Sequence, residues 1–441
     1  MIGVGIIRLP AALILMAAMS LVFASTAAAQ SNAAVVVLTV DEAVERAVRE
    51  NLNLRREALT LAQQEREAES AWNRFYPSID ATGTLSRQNN PPPTSSDPWS
   101  AAAGISSSLT LSAPLLQEGR RTANRYAQGL LTYERARQTL RRDVQKAFFS
   151  LLVRERNIEL KRENVETARI RFERSMVEYE SGRVSRFSML SNQVAYERQI
   201  PELANLEDAY REELAGFALL LGYPRGTVVR PAGDISVSIP TLDSEALIAR
   251  FVAGRPDVRQ AELQRAADQL ARAVEQNRLA PSLTMSYSVT QSNQAPFTAP
   301  WFDGEDRWNL GGQLQFQVRV PLSPHLPSSS SRVTRANQDV EIEKRTIALS
   351  QVIAAAETEI EQLVRRIQRG VATLDVVRLN EALARTAFEL AEVEFDRGLI
   401  DSLELRNAQL SLEQTQIDVL EEEFRIASAL IDLEFALNAQ F

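Results

Sequence analysis

The residue types that carry most enzyme chemistry are scarce in this chain of 441 residues. It has no cysteine and one histidine, His325, set in the proline-rich run VPLSPHLPSSSS. Thiol nucleophiles, disulfides and thiolate metal sites are therefore excluded, and with His325 in such a loop neither a histidine triad nor a multi-histidine metal centre is expected. Carboxylates are plentiful, with 57 Asp and Glu against 49 Lys and Arg, but they are strung along charged stretches such as VRERNIELKREN. A catalytic pair would have to converge, and these do not. The compact group that stands out is FDRGLIDSLELRNAQ, residues 395–409, where Asp401 and Glu404 follow a glycine. An Asp-x-x-Glu spacing suits a helix N-terminus, whose free N–H groups the carboxylate accepts. EYESGRVSRFSML, residues 178–190, sets out the same turn with Gly182 and Ser185. The repeated chemistry is that of a helix ending on glycine and restarting on a cap. No metal site and no cofactor are expected.

The elements that position these turns begin with MIGVGIIRLPAALILMAAMSLVFASTAAAQ. It holds one charged side chain, Arg8, an apolar run from Leu9 to Phe23, and small residues ending in Ala27, Ala28 and Ala29. This is the pattern of a secretory signal cut after Ala29. Its apolar run is shorter than the ~20 residues of a spanning helix. The mature chain is expected to be exported without a helical anchor and, lacking cysteine, without a lipid on an N-terminal thiol. Removing Arg8 leaves 48 basic residues (49 minus 1) against 57 acidic, a net charge of -9. No basic stripe is present, so nucleic acid is not an expected partner.

Comparing the chain with itself gives its organisation. RENLNLRREALTLAQQEREAESAWNRFYPSI, residues 49–79, aligns without a gap on AGRPDVRQAELQRAADQLARAVEQNRLAPSL, residues 253–283, and Pro77 meets Pro281 at an offset of 204. Pro114 of SLTLSAPLL meets Pro321 of LQFQVRVPLS at 207, and Gly182 meets Gly398 at 216. One unit of about 200 residues is duplicated. The expected organisation is a signal peptide at 1–29, a first repeat at 30–221, a connecting segment at 222–245 rich in Gly, Pro and β-branched residues, and a second repeat at 246–441.

Each repeat changes period twice. After a cap at Thr39 or Asp243, a helical pattern is expected to run to Tyr76 or Ala280, where the following proline ends it. From Ser78 to Ser86 the sequence then alternates, with Ile79, Ala81, Gly83 and Leu85 on one face and hydroxyl residues and Asp80 on the other. The alternation recurs in Ile105 to Ala113, in Leu283, Met285, Tyr287 and Val289, and in Leu310, Gly312, Leu314, Phe316, Val318 and Val320. Four strands in two pairs follow, at 77–114 and 281–321, with Pro77, Pro114, Pro281 and Pro321 at the helix–strand junctions. At about nine to eleven residues each, they suit a membrane-spanning barrel; a soluble sandwich edge alternates equally well. The long connections RQNNPPPTSSDPWSAAAG and QSNQAPFTAPWFDGEDR favour the barrel, as do Tyr76, Tyr287 and Trp308 at girdle positions. Four strands cannot close a barrel alone, so copies must pool them. Three copies give twelve strands and two give eight.

The helices carry the second signal. No proline occurs from Gln117 to Tyr179, and apolar residues recur at steps of three, four and seven through Leu140, Val144, Leu151, Ile158 and Phe172. The second repeat matches this with Ile353, Ile360, Leu363 and Ile367, a coiled-coil spacing. About 63 residues at ~1.5 Å make a helix of roughly 95 Å, which must project from any globular body. Gly182 and Gly398 then cap these helices, and Ser185 and Asp401 start returning ones. Val184 and Ile400 are expected to lie exposed on the turns.

This order, twice over, resembles the TolC family of outer-membrane efflux proteins across nearly all of the mature chain. The elements that carry the resemblance are RFYPSIDATGTLS, LTLSAPLLQEGR, YESGRVSRFSMLSNQ, GRPDVRQAELQ and FDRGLIDSLELRNAQ. It implies a mainly α fold with a membrane β-barrel contribution, in which duplicated long-helix hairpins and four transmembrane strands per chain assemble into a trimeric α/β barrel tunnel. It also implies a homotrimer in outer-membrane lipid with its helices in the periplasm. The hairpin tips, Gly182, Arg183 and Val184 with Gly398, Leu399 and Ile400, would meet a periplasmic adaptor protein that joins the duct to an inner-membrane transporter. Family members narrow at rings of acidic residues just past the second glycine turn. On this sequence Glu404 takes the first position, beside the cap Asp401, and Asn407 the second, a departure that leaves one ring of carboxylates where the pattern has two. Glu404 serves equally well as a cap. GRPDV is closer to members serving drug or metal exporters than to those serving protein secretion.

Two other classes compete. A periplasmic adaptor would show one hairpin between β-rich halves, not two hairpins with amphipathic strand pairs. An enzyme would need convergent catalytic groups.

Overall fold

A computed structural model describes residues 35–89, 98–233, 242–293 and 309–439. The signal segment, Trp308 and most of both strand connections lie outside the described residues. The first repeat consists of β1 (Val36–Leu38), α1 (Val40–Glu50), α2 (Leu52–Glu69) with a 3-10 turn at Ser70–Phe75, β2 (Ser78–Arg87), β3 (Trp99–Ser112), α3 (Pro114–Glu180) and α4 (Arg186–Leu220). After β4 (Val229–Pro231), the second repeat supplies α5 (Ser244–Phe251), α6 (Pro256–Asn277), β5 (Ser282–Asn293), β6 (Asn309–Arg319), α7 (Ser330–Asp396) and α8 (Ser402–Leu437).

Local chemistry sets the helix starts. Thr39 forms a full capping box: its hydroxyl accepts from the Glu42 N–H, and the Glu42 carboxylate accepts from the Thr39 N–H at 2.8 Å. That bond to the Thr39 backbone holds the exposed Glu42 carboxyl below its ordinary pKa. Asp243 caps α5 through the Glu245 N–H. The single helix expected from Thr39 to Tyr76 is broken at Asn51, which is buried. Its side-chain oxygen accepts from the Asn53 and Leu54 N–H groups, and its amide donates to the Leu220 carbonyl at 2.9 Å. At the matching position, 51 plus 204, stands Arg255, also buried and bonded to Asp257 and to Glu359 of α7 at 2.8 and 2.7 Å. Each repeat thus restarts its first helix at a buried polar residue that ties it to a longer one. Pro256 at the first position of α6 marks the second break in sequence; the first has only asparagine to announce it.

The four long strands form one antiparallel sheet in the order β2-β3-β5-β6, so β3 and β5 join the repeats at its centre and no pair stands alone. Two short strands were absent from the expectation. β1 and β4 pair in parallel, Val36 opposite Val229, and bring the connecting segment back onto the start of the first repeat. Runs of three residues are too short for alternation to register.

The helices make a single layer at two levels. Near the sheet, α2, α3, α6 and α7 lie side by side; farther away, α4, α3, α8 and α7 do. The long helices α3 and α7 run through both levels at 67 residues each, roughly 100 Å. Their equality is informative, because the offset between repeats grows from 207 to 216. The nine extra residues sit at 321–329, ahead of α7, so α7 begins at 330, which is 114 plus 216, and length is preserved. Each repeat has its own core at mid-height. One gathers Val144, Phe148 and Leu151 with Ala43, Ala47, Phe217, Leu221 and Val229; the other gathers Ala356, Ile360 and Ile367 with Val258, Leu433 and Leu437.

Two glycines with positive φ separate strain from space. Gly398 has φ +73° and open surroundings, whereas Gly222, at +79°, would place a side-chain carbon 2.6 Å from the Glu50 carbonyl oxygen. Gly398→Ala should cost only the left-handed penalty of about 1–2 kcal/mol. Gly222→Ala adds a backbone clash and should lower the midpoint of helix melting, followed by circular dichroism, several-fold more. Equal shifts would show that close approach does not constrain Gly222.

Candidate functional site

Two regions have unusual surfaces: the faces and edges of the sheet, and the ends of the hairpins. In the sheet, register does what alternation alone could not. Ile79 and Ala81 pair with Ser107 and Ile105; Ile105 and Leu109 pair with Val289 and Met285; Met285 and Tyr287 pair with Phe316 and Leu314. All four apolar rows therefore lie on one face. The opposite face carries Ser78, Thr82, Thr84, Ser106, Ser108, Thr284, Ser286, Thr290, Gln313, Gln315 and Gln317, matched row to row. Hydroxyls bond across it, as in Ser78 to Ser108 at 2.9 Å and Thr110 to Thr284 at 3.1 Å. Among the described residues nothing covers the apolar face: Phe316 is 61% and Leu314 62% exposed. Arg87 lies over the Trp99 ring at its far end. β2 and β6 are edges, each exposed along its whole length. Pro77 and Pro281 immediately precede β2 and β5, Pro114 opens α3, and Pro321 follows β6, so each proline sits where the chain passes between sheet and helix.

At the other end, both turns are built alike. The Gly182 N–H donates to the Tyr179 carbonyl and the Arg183 N–H to that of Glu178, at 2.9 and 2.8 Å; Gly398 and Leu399 repeat this with Phe395 and Glu394, both at 2.9 Å. These are Schellman motifs, and the glycines, at φ +74° and +73°, hold the left-handed position they require. Ser185 accepts from the Ser188 N–H, and Asp401 from the Leu403 and Glu404 N–H groups at 2.8 and 2.9 Å. Asp401 thus spends its carboxylate on its own helix. The Glu404 and Asn407 side chains, one turn apart on α8, are exposed, while Leu405 between them is buried. Val184 and Ile400, expected to be exposed, are half-buried, because the turn folds them back toward the hairpin. The exposed apolar groups at the tips are instead Leu399, at 69%, Phe187, at 80%, and Leu403, at 60%.

Sequence reasoning missed the polar seam between the hairpins. Lys146 of α3 pairs with Asp432 of α8 at 2.6 Å, and Lys161, nearly buried, reaches Glu413 of α8 at 3.1 Å and Glu202 of α4 at 2.9 Å. Burial pulls the Lys161 pKa down, but bonding to the two carboxylates outweighs it, and the net shift is upward. The same bond holds the Glu202 carboxyl below its ordinary range. Closer to the tips, Arg171 donates to Gln409 of α8 and lies over the Phe388 ring of α7. One signal was present in the sequence. The chain has only three lysines, Lys146, Lys161 and Lys344, and two of them serve this seam. A compact ammonium with three donors can hold two carboxylates on different helices.

A family model described as outer membrane efflux protein matches residues 43–223 and 247–439. Nodulation protein T of Rhizobium leguminosarum bv. trifolii is 25% identical over 276 residues, 59% of this chain, and the match spans just over half, 55%, of that relative's length. Among solved structures, CusC superposes with a TM-score of 0.77 at 15% identity, over 91% of this chain and 92% of that one. The outer membrane protein VceC of Vibrio cholerae gives 0.73 at 15% identity, over 91% and 96%. At such identities the structures show the shared fold. With the family model covering both repeats from the first helix to the last, the chain belongs to the outer membrane efflux protein family.

Proposed function

We propose that this chain is the outer-membrane exit duct of a tripartite export system. Three copies pool their strands into a twelve-stranded barrel, and their helices continue it into the periplasm as a tunnel. The observation that carries this reading is the sheet itself. One face is mostly apolar, broken by Ser107 and, toward its far end, by Arg87, Gln291 and Asn293; the other is lined mainly with hydroxyls and amides, and both edges are open, the condition of a barrel segment in lipid with water inside. Helix surfaces support it as well. Val376, Leu379, Leu383 and Leu390 on α7, and Phe187, Leu190 and Val194 on α4, are exposed apolar residues on helices at the two sides of the layer. A neighbouring copy on each side would cover them.

The cargo passes along the polar face of the barrel, and the tips are where the duct meets its adaptor and, through it, an inner-membrane transporter. Leu399 and Phe187 supply the apolar contacts there, with Gly182, Arg183, Val184, Gly398 and Ile400 shaping the turns. Just inside the tips, Glu404 and Asn407 share an exposed face of α8. Around a three-fold axis they would form one ring of carboxylates and one of amides. Like charges so close attract cations.

Three outcomes are expected. Leu314→Arg or Phe316→Arg should prevent assembly in the outer membrane, at a depth-dependent cost of ~2–4 kcal/mol, while Gln315→Arg is tolerated because it faces water; equal trimer yields for all three would refute the sheet's orientation. Leu399→Asp with Phe187→Asp should leave trimers intact yet abolish crosslinking to the adaptor and cargo resistance, and survival of both would place docking elsewhere. In planar bilayers Glu404→Gln should lose cation preference and block by trivalent cations from the tip side. Asp401→Ala should instead weaken α8 by about 1 kcal/mol through its cap. An unchanged reversal potential in Glu404→Gln would leave Glu404 without a part in the pore.

A further inference from the structure

The polar face of the sheet carries two charges, and they lie on its two edges. Among the four strands the charged side chains are Asp80, Arg87 and Arg319. Arg87 shares the apolar face with Trp99, its direct partner. That leaves Asp80 on β2 and Arg319 on β6, both exposed, neither hydrogen-bonded nor ion-paired to any described residue. Both sit at the helical end of the sheet, Asp80 three residues after Pro77 and Arg319 two before Pro321.

The duplication supplies a template for how two such edges meet. Inside the chain, β3 joins β5 with Ser112, two residues before Pro114, opposite Ser282, the residue after Pro281. β6 and β2 hold the corresponding places at the outer edges, and between copies they would run antiparallel like every other neighbouring pair in the sheet. Transferred, the internal register sets Arg319 opposite Ser78 of the next copy, since 112 plus 207 is 319 and 282 minus 204 is 78. Asp80 is then the diagonal neighbour of Arg319, ~7–8 Å away between Cα atoms and within reach of an arginine. The apolar rows fit as well. Phe316 falls opposite Ala81, and Leu314 opposite Gly83, beside which an added side-chain carbon meets nothing within 4 Å. A slip of one residue would turn the apolar rows to water, so registers move in steps of two. One step brings the two charges face to face; larger slips the other way part them.

We infer that Arg319 of one copy pairs with Asp80 of the next on the water side of the barrel, and that this ion pair fixes the register in which the copies join. The inference rests on the trimeric closure proposed above. A chain without cysteine gives a clean background for the test. Asp80→Cys combined with Arg319→Cys, joined by a thiol reagent spanning about 8 Å, should yield covalent trimers. Asp80→Cys with Gln313→Cys, whose separation is four residues or ~13 Å along the strands, should not. Asp80→Arg and Arg319→Asp should each lose most of the heat-resistant trimer, and the double exchange should restore it. Heat-resistant trimers that crosslink through Gln313→Cys, or a double exchange no better than the singles, would overturn the pairing and leave the barrel standing. A wild-type chain that forms no trimer would overturn both.

Discussion

In hydrocarbon a backbone N–H or C=O without a partner costs several kcal/mol, and each chain has two rows of them, along β2 and β6. Neither edge is blunted by proline or by brevity. No proline interrupts either strand, and neither is short. The apolar face adjoining both edges is uncovered, so the sheet is finished only when another sheet continues it. That requirement reaches the helices through the junction prolines. Once strands close side by side, the helices leaving Pro77, Pro114, Pro281 and Pro321 must also stand side by side. The single layer of helices in one chain is the matching arc.

The layer is not equally firm along its length. Both apolar cores lie at mid-height, where the short helices α1 and α5 and the ends of α4 and α8 pack on the long ones. Toward the tips the two hairpins meet through Lys161, Arg171 and their partners. These contacts are hydrogen bonds between charged and polar side chains, not apolar packing. Separating the hairpins at their tips therefore disturbs neither core. In each chain the larger apolar clusters are thus concentrated at mid-height, away from the hairpin tips.

Much of this was legible in the residues. Period-two alternation announced the strands because one face must be apolar and the other not, and a positive φ at a helix end nearly always requires glycine, as at Gly182 and Gly398. Asp401 and Ser185 were recognisable as caps because their oxygens have one obvious use. What escaped notice depended on distant partners. Asn51 breaks a helix because the Leu220 carbonyl lies beside it, and nothing near Asn51 in sequence says so. Val184 and Ile400 looked exposed because a turn usually is, yet this turn folds its apolar residue inward and leaves Leu399 outside. The central pairing of β3 with β5 joins segments 170 residues apart or more, beyond any local pattern.

The equal length of α3 and α7 restricts how such a molecule can change. One residue inserted into α3 would rotate everything beyond it by ~100°, taking Lys161 and Arg171 out of register with α8. Seven residues would bring the faces back to within ~20°, but would lift one tip ~10 Å past the other. The four long helices behave as matched rulers. Descendants can lengthen loops one residue at a time, as the nine residues ahead of α7 illustrate, but they can deepen the tunnel only by altering all four helices in step. The depth of the periplasm that this duct can span is thus inherited as a unit.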